Sequence, residues 1–203
     1  LTRDRVFFYS NYLHSNFQWE NTKISIAFQR DVINHVIPEV QPDLIHCHDW
    51  MTGLIPAMAK KFEIPCLFTV QNPDTARIFL SHVEDMGIDA AEFWQHLFYD
   101  RYPANYEETR ESNPVNFLLS GILAANFVNT SNTAFLGKMD GHQSLSAQVS
   151  FWEVLAEKKK TGYAALNRNL TESKEYIGIY QKLLQRPLLQ PKRKGLDIND
   201  VVH

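Results

Sequence analysis

The sequence has little of several residue types that mark special classes of protein. Its 203 residues include only two cysteines, Cys47 and Cys66, so a disulfide framework is not expected and a reducing, cytoplasmic setting is the natural inference. It has eight glycines and contains neither a Gly-x-Gly-x-x-Gly nor a Walker sequence, which argues against the usual phosphate-binding loops. No run of about 18 apolar residues occurs, so no transmembrane helix is expected.

An excess of one charge is also absent. The 20 lysines and arginines nearly balance the 23 aspartates and glutamates, for a formal net charge of −3, so neither nucleic acid nor a membrane surface is expected as a partner. With 44% apolar residues, the composition is that of one ordinary globular domain. The sequence starts at Leu1 without an initiator methionine, so we expect it to come from within a longer gene product.

What is present is an alternation of helical and strand patterns. Apolar residues at helical spacing over residues 24–36 predict an amphipathic helix closed by Pro38, and residues 44–47 predict a buried strand. Residues 51–61 then predict a second helix, and residues 66–70 a second strand. This order predicts an α/β fold with a doubly wound, Rossmann-like parallel sheet and flanking helices.

Two Asn-Pro pairs punctuate the middle of the chain. Asn72-Pro73 and Asn113-Pro114 are each predicted to cap and open a helix, and the second helix, residues 115–125, is apolar enough to be buried. Residues 127–130 predict a third strand. The aromatic segment 93–102 is expected to pack inside the domain rather than to form a ligand platform.

After residue 138 the sequence changes in character. We expect residues 1–138 to form the α/β domain and residues 139–170 to form a junction with a helix. Residues 171–190 predict a last helix with apolar and aromatic side chains on one face, which we expect to pack back on the domain. Residues 191–203 are expected to be an exposed tail.

Polar residues follow each of the first two predicted strands, where open α/β sheets bind their ligands. After the first strand, His48 can donate a hydrogen bond to a sugar hydroxyl, Asp49 can orient that imidazole, and Trp50 offers a flat apolar face. After the second strand come Gln71 and Asn72, whose amides can bind hydroxyls, although a helix N-cap at Asn72 explains the pattern equally well. These five residues are the candidate site.

His46 lies two residues before His48 and shares a face of the strand with it, so the pair could in principle bind a metal ion. No second cluster in the sequence supplies further ligands at metal-site spacing, so neither a metal nor another cofactor is expected. We expect His46 instead to be a hydrogen-bonded histidine of the core.

Three segments, taken in order, resemble a known family. Residues 42–57 (PDLIHCHDWMTGLIPA), residues 68–72 (FTVQN) and residues 116–130 resemble the N-terminal domain of bacterial glycogen and starch synthases, the family 5 glycosyltransferases of GT-B fold. Residues 171–188 resemble the C-terminal helix of those enzymes, which crosses back to that domain. The resemblance implies one half of a GT-B fold together with its crossing helix.

The resemblance implies a retaining transfer of glucose from a sugar nucleotide, ADP-glucose or alternatively UDP-glucose, to an α-1,4-glucan acceptor without a metal. It makes His48 and Asp49 the candidate catalytic residues, with His48 contacting the transferred glucose. Trp50, Gln71 and Asn72 are then the candidate substrate-binding residues. Such a transfer depends on positioning and charge stabilisation more than on acid–base work. The oligomeric state stays open.

The sequence departs from the family pattern in several places. Gln71 stands where the family has histidine, and residues 130–133 lack the family's proline, with Asn132 in its position. The lysine-and-glycine loop and the second Rossmann domain, which meet the nucleotide diphosphate, have no counterpart. We therefore expect a partial or truncated enzyme that is inactive alone. The alternatives are a non-catalytic glucan-binding or regulatory module of the same fold, and an unrelated sugar-nucleotide enzyme of doubly wound fold.

Overall fold

The protein is built on a parallel β-sheet. The computed structural model describes residues 15–72, 74–130, 164–166 and 173–185, and the structural statements that follow concern these residues. The strands are β1 (Ile45–His48), β2 (Cys66–Thr69), β3 (Arg77–Ile78), β4 (Val115–Asn116), β5 (Phe127–Thr130) and β6 (Ala164–Leu166). Strands β1, β2, β5 and β6 form one sheet in that order with every neighbouring pair parallel, whereas β3 and β4 pair antiparallel beside it.

Helices separate these strands along the chain. They are α1 (Ser15–Asp31), α2 (Ile37–Val40), α3 (Ile55–Lys61), α4 (Leu80–Asp85), α5 (Tyr106–Ser112), α6 (Phe117–Ala124) and α7 (Ser173–Leu184), with a π-helical turn at Val32–Val36 and 3-10 turns at Trp50–Thr52, Ala90–Glu92 and Trp94–His96. In the described part of the chain, no helix combines the length and the apolar character needed to cross a bilayer. The predicted alternation and the three predicted strands are confirmed, and the fold is an α/β, Rossmann-like one.

The two faces of the sheet have different environments. Cys47, Phe68 and Val128 are paired in register and point to one face, where they are buried in the main apolar core. Residues that alternate with them point to the opposite face. His46 and His48 lie on that second face, which helix α7 covers. The candidate histidines therefore face away from the main core.

Two glycines allow α6 to lie close to its neighbours. A Cβ atom on Gly121 would come within 2.4 Å of the ring of Phe68, and one on Gly53 would come within 2.0 Å of the carbonyl oxygen of Phe117. Neither contact is sterically tolerable, so both positions need glycine for close packing. This approach seats α6 directly on the sheet.

The first predicted helix is longer than the sequence pattern indicated. It begins at Ser15 and continues through Pro38 to Val40, so the prediction that Pro38 closes it was wrong. A proline ring clashes with the preceding turn of a regular α-helix. Here the wider π-helical turn lies just before the proline, and the N–H of Ile37 bonds to the carbonyl of Val32. The helix ends instead at Gln41, whose backbone is left-handed.

The prediction that both Asn-Pro pairs open helices was also wrong. The side chain of Asn72 contacts Asp74 in a local turn, and the next helix begins only at Leu80. The side chain of Asn113 bonds instead to the backbone of Arg101, and its helix starts later, capped by Asn116. In each case the asparagine side chain bonds to another polar group instead of capping a helix N-terminus.

The remaining predictions concern the aromatic segment 93–102 and the last part of the chain. Phe93, Leu97 and Tyr99 of the aromatic segment are buried, which confirms that this segment mainly packs inside the domain, although Tyr102 is exposed. The predicted helix near residues 151–160 and the tail after residue 190 lie outside the described residues. The division of the chain at residues 138, 170 and 190 stays a prediction.

Candidate functional site

Asp49 connects the ends of the first two strands. It follows β1, and its Oδ1 atom accepts hydrogen bonds from the backbone N–H groups of Gln71 (2.7 Å) and Asn72 (3.1 Å), which follow β2. Its own N–H donates to the carbonyl of Thr69 at 3.0 Å. The structure therefore brings Asp49 together with Gln71 and Asn72, which follow it by 22 and 23 residues.

The backbone of Asp49 is strained. Its φ of 54° and ψ of −178° place it near a region that is almost confined to glycine and costs other residues about 1–3 kcal/mol. The three hydrogen bonds that Asp49 makes to the neighbouring strand end oppose this cost. They hold the turn that points the chain from β1 into the Trp50–Thr52 segment.

His48 has an anchored backbone and an exposed side chain. Its N–H donates to Oγ1 of Thr52 at 2.9 Å, and the same hydroxyl donates to the carbonyl of His48 at 2.7 Å. The imidazole itself lies at the strand end, open to a ligand. A neutral imidazole there can donate one hydrogen bond and accept another, which suits it to a hydroxyl group.

His46 is held from two sides. Its Nδ1 lies 2.7 Å from the hydroxyl of Tyr180 on α7, and its Nε2 lies 2.7 Å from Oγ1 of Thr69 on β2. Burial, and then the neighbouring charge of His48, lower the pKa of His46 from 6.5 to about 4, so it is neutral at pH 7. Both ring nitrogens of His46 are bonded to hydroxyl groups, as expected, but the residue is half-buried on the second face of the sheet and is not part of the main core.

The remaining candidate residues have different surroundings. Trp50 is half-buried and packs against the main core, so its ring supports the turn after β1. Gln71 is half-buried and Asn72 is exposed in the turn after β2. The roles of His48, Asp49, Trp50, Gln71 and Asn72 in binding or catalysis stay predictions.

Sequence reasoning did not identify the residues that surround His46. Asn129 on β5 accepts a hydrogen bond from the Thr69 hydroxyl at 2.6 Å, and Tyr176 lies beside His46 with ring centroids 5.3 Å apart. Their signals in the sequence are an asparagine within an otherwise apolar strand and two tyrosines four residues apart on one helix face. Neither signal indicates which partner the side chain meets.

A separate depression lies between α4 and α5. It has a volume of about 530 Å³ and is lined by Glu84, Gly87, Ile88, Asp89, Tyr106, Glu107 and Arg110. The Arg110 guanidinium bonds to Glu84 Oε2 through Nε at 3.0 Å and Nη2 at 2.7 Å. No candidate residue from the strand ends lines this depression.

The fold and the polar strand ends define an α/β, Rossmann-like domain with a candidate ligand site at the carboxyl ends of its strands. Residues 1–136 match the family model described as the starch synthase catalytic domain. The match covers most of the chain, which therefore belongs to this glycosyltransferase family. It agrees with the family resemblance that the sequence motifs indicated.

Named relatives are similar over part of the chain. A probable glycogen synthase 2 of Synechocystis is 33% identical over 97 residues, which is 44% of this chain and 19% of the relative. A glycogen synthase of Desulfitobacterium hafniense is 31% identical over 122 residues, 53% of this chain and 23% of the relative. One from Cellvibrio japonicus is 28% identical over 125 residues, 60% of this chain and 23% of the relative. The chain thus spans about a fifth of the length of the curated relatives it matches.

Proposed function

We propose that this chain forms part of a glucosyltransferase of the glycogen or starch synthase type. The enzyme elongates an α-1,4-glucan with glucose from ADP-glucose, or alternatively UDP-glucose, with retention of configuration. The observation that carries this proposal is the Asp49 bridge, which joins the strand end that carries the exposed His48 to the backbone of Gln71 and Asn72. Two free cysteines, both buried, are consistent with a cytoplasmic location.

Each candidate residue has a role in this proposal. His48 donates a hydrogen bond to the transferred glucose, and Asp49 acts by holding the two strand ends at a constant separation. Gln71 and Asn72 bind hydroxyl groups of glucose or of the acceptor. Trp50 packs against the main core and so supports the turn after β1. Transfer also requires cationic groups for the departing diphosphate. None of the five residues carries a fixed positive charge, so we expect a second nucleotide-binding domain to supply them.

A transfer assay tests the proposal. Labelled ADP-glucose, UDP-glucose and GDP-mannose are each incubated with glycogen and with either the 203-residue chain or the complete gene product that contains it. We expect glucose incorporation from ADP-glucose or UDP-glucose by the complete product and none by the chain alone. Incorporation of mannose instead, or no transfer from any donor by a folded complete product, would contradict the proposal.

A matched pair of histidine variants tests the site. His48→Ala is expected to lower kcat by about 100-fold, since one hydrogen bond to developing charge commonly contributes that much. His35→Ala is the control because His35 is also exposed but lies on the Val32–Val36 turn. Equal activities of the two variants would remove His48 from the site.

The second candidate function is a non-catalytic glucan-binding or regulatory module. It is favoured by the side chains of His48, Gln71 and Asn72 at the strand ends, whose hydrogen-bonding groups can bind glucan hydroxyls without transferring glucose. Retardation of the chain in a native gel that contains glycogen, weakened by His48→Ala and not by His35→Ala, combined with no transfer by the complete product, would favour this function. No retardation would rule it out.

A further inference from the structure

A chain of hydrogen bonds crosses the sheet from helix α7 to strand β5. It runs from the Tyr180 hydroxyl to Nδ1 of His46 (2.7 Å), from Nε2 of His46 to Oγ1 of Thr69 (2.7 Å), and from Thr69 to Oδ1 of Asn129 (2.6 Å). Four separate elements, α7, β1, β2 and β5, each contribute one of these side chains. Thr69 and Asn129 are fully buried, so water does not compete for the bond between them.

The donors and acceptors available determine which way each hydrogen bond in this chain runs. A threonine hydroxyl has one proton, and here it is donated to Asn129, so Oγ1 of Thr69 must accept from Nε2–H of His46. A neutral imidazole with a proton on Nε2 has an acceptor at Nδ1, which then receives the Tyr180 O–H. The contacts thus select one tautomer of His46.

The His46 ring in turn contacts the candidate catalytic ring. The centroids of His46 and His48 lie 4.2 Å apart, with the planes inclined by 32°. His46 also meets Tyr176 and Tyr180 at 5.3 Å and 5.8 Å between ring centroids. His46 therefore contacts both the aromatic pair of α7 and the exposed imidazole of His48.

We propose that Tyr180 is a positioning residue for His48. Its hydroxyl donates to Nδ1 of His46 and so holds in one orientation a ring whose tautomer Thr69 and Asn129 select, and the His46 ring then limits the orientations of His48. Helix α7 lies outside the strand-end site and would thereby orient the His48 ring in it, through Tyr180, His46 and the bonds to Thr69 and Asn129. The catalytic consequence of this role rests on the proposed function, whereas the tautomer and ring orientation do not.

Nitrogen NMR of the histidine rings tests the structural step without any activity. In the full chain at pH 7 we expect His46 to show a single Nε2–H tautomer. Tyr180→Phe keeps the ring but removes the donor to Nδ1, so we expect the Nε2–H tautomer to remain, the Nδ1 signal of His46 to shift and the His48 signals to be displaced. Tyr176→Phe is the matched control, since it removes a hydroxyl from the neighbouring ring, and it should leave the His46 and His48 signals unchanged.

Two variants of Thr69, at the other end of the chain of hydrogen bonds, test which contact selects the His46 tautomer. Thr69→Val removes the acceptor for Nε2–H at similar volume and should produce a mixture of His46 tautomers, whereas Thr69→Ser keeps a hydroxyl and should keep the single tautomer. Melting curves confirm that each variant is folded. An unmoved Nδ1 signal of His46, or an unmoved His48 signal, in Tyr180→Phe would overturn the proposal.

Kinetics on the complete gene product test the catalytic consequence. We expect Tyr180→Phe to lower kcat by about tenfold with little change in KM, because a misplaced His48 weakens the transition state more than substrate binding. Tyr176→Phe should retain the kcat of the unmodified protein. If the NMR changes occur and no form of the protein transfers glucose, the positioning role stands and the proposed function fails. If kcat is unchanged in Tyr180→Phe while His48→Ala is impaired, the positioning role fails.

Discussion

At the scale of single residues, Asp49 and His46 differ in how they serve the strand ends. Asp49 uses one carboxylate oxygen to bind two backbone N–H groups across the sheet edge. His46 uses two ring nitrogens to bind two hydroxyl groups below that edge. Asp49 and His46 both act by holding other groups in position. Substitution of either residue should therefore change stability as well as activity.

Asp49→Ala should lower the free energy of unfolding by about 1–3 kcal/mol, because two backbone N–H groups lose a charged acceptor. Asp49→Asn retains an oxygen at that place and should cost less. Urea unfolding measures both values. Asp85→Ala, at an exposed aspartate that ends α4, is the control and should change stability by under about 0.5 kcal/mol. A loss no larger in Asp49→Ala than in the control would show that the bridge contributes nothing to stability.

The stability of the fold should depend on pH through His46. Its pKa is about 4 in the folded chain and near 6.5 when unfolded, so below pH 6.5 the unfolded chain binds more protons than the folded one. The contribution of His46 is therefore complete above about pH 6.5 and is lost as the pH falls toward 4. Urea unfolding at pH 7, 6, 5 and 4 should show a shallower decline in His46→Gln. Equal declines in both proteins would contradict this assignment.

At the scale of elements, close packing and local chain geometry determine where helices lie. The helix α6 sits on the sheet because Gly121 has no side chain to strike Phe68. Helix α7, by contrast, carries Gly178 where an added Cβ would have no heavy atom within 4 Å. The same substitution at these two helical glycines should therefore have opposite effects.

Gly121→Ala should destabilise the fold by about 1–3 kcal/mol, since overpacking against Phe68 outweighs the better helix propensity of alanine. Gly178→Ala should stabilise it by about 0.5–1 kcal/mol, because only the propensity changes. Thermal and urea unfolding of the two variants provide the comparison. Destabilisation of similar size at both positions would show that the contact with Phe68 is not the cause.

At the scale of the whole molecule, α7 links the far end of the chain to its first strand. Tyr180 contacts His46 across 134 positions of sequence, and Lys182 lies 5.5 Å from the ring of Phe127. The face of the sheet that carries both histidines is therefore covered by a distant segment. Burial of His46, and with it the first cause of its lowered pKa, depends on this cover.

Deletion of residues 173–203 should raise the pKa of His46 from about 4 toward its ordinary 6.5, because the ring becomes more exposed. NMR titration of the His46 ring in the shortened chain measures this shift. The matched control is deletion of residues 186–203 alone, which leaves α7 in place and should leave the pKa unchanged. A pKa that stays near 4 after the longer deletion would mean that α7 does not bury His46.

The outcome of the sequence predictions follows the range of the interactions involved. Strands near residues 45, 66 and 127 were predicted because buried parallel strands need consecutive apolar residues, whatever their neighbours. The prediction that Asn72 and Asn113 cap helices was wrong because their side chains bond to Asp74 and Arg101 instead. Pro38 was misread because a π-helical turn accommodates its ring.

The sequence by itself determined the α/β order, the family motifs and the five candidate residues at the strand ends, since all of these depend on neighbours within one short segment. Tertiary structure alone decided that one Asp49 oxygen binds the segment after β2 and that Tyr180, His46, Thr69 and Asn129 form one hydrogen-bonded chain. Such contacts join residues 20 to more than 100 positions apart. Their partners depend on strand register and on which helix covers each face, which no local pattern specifies.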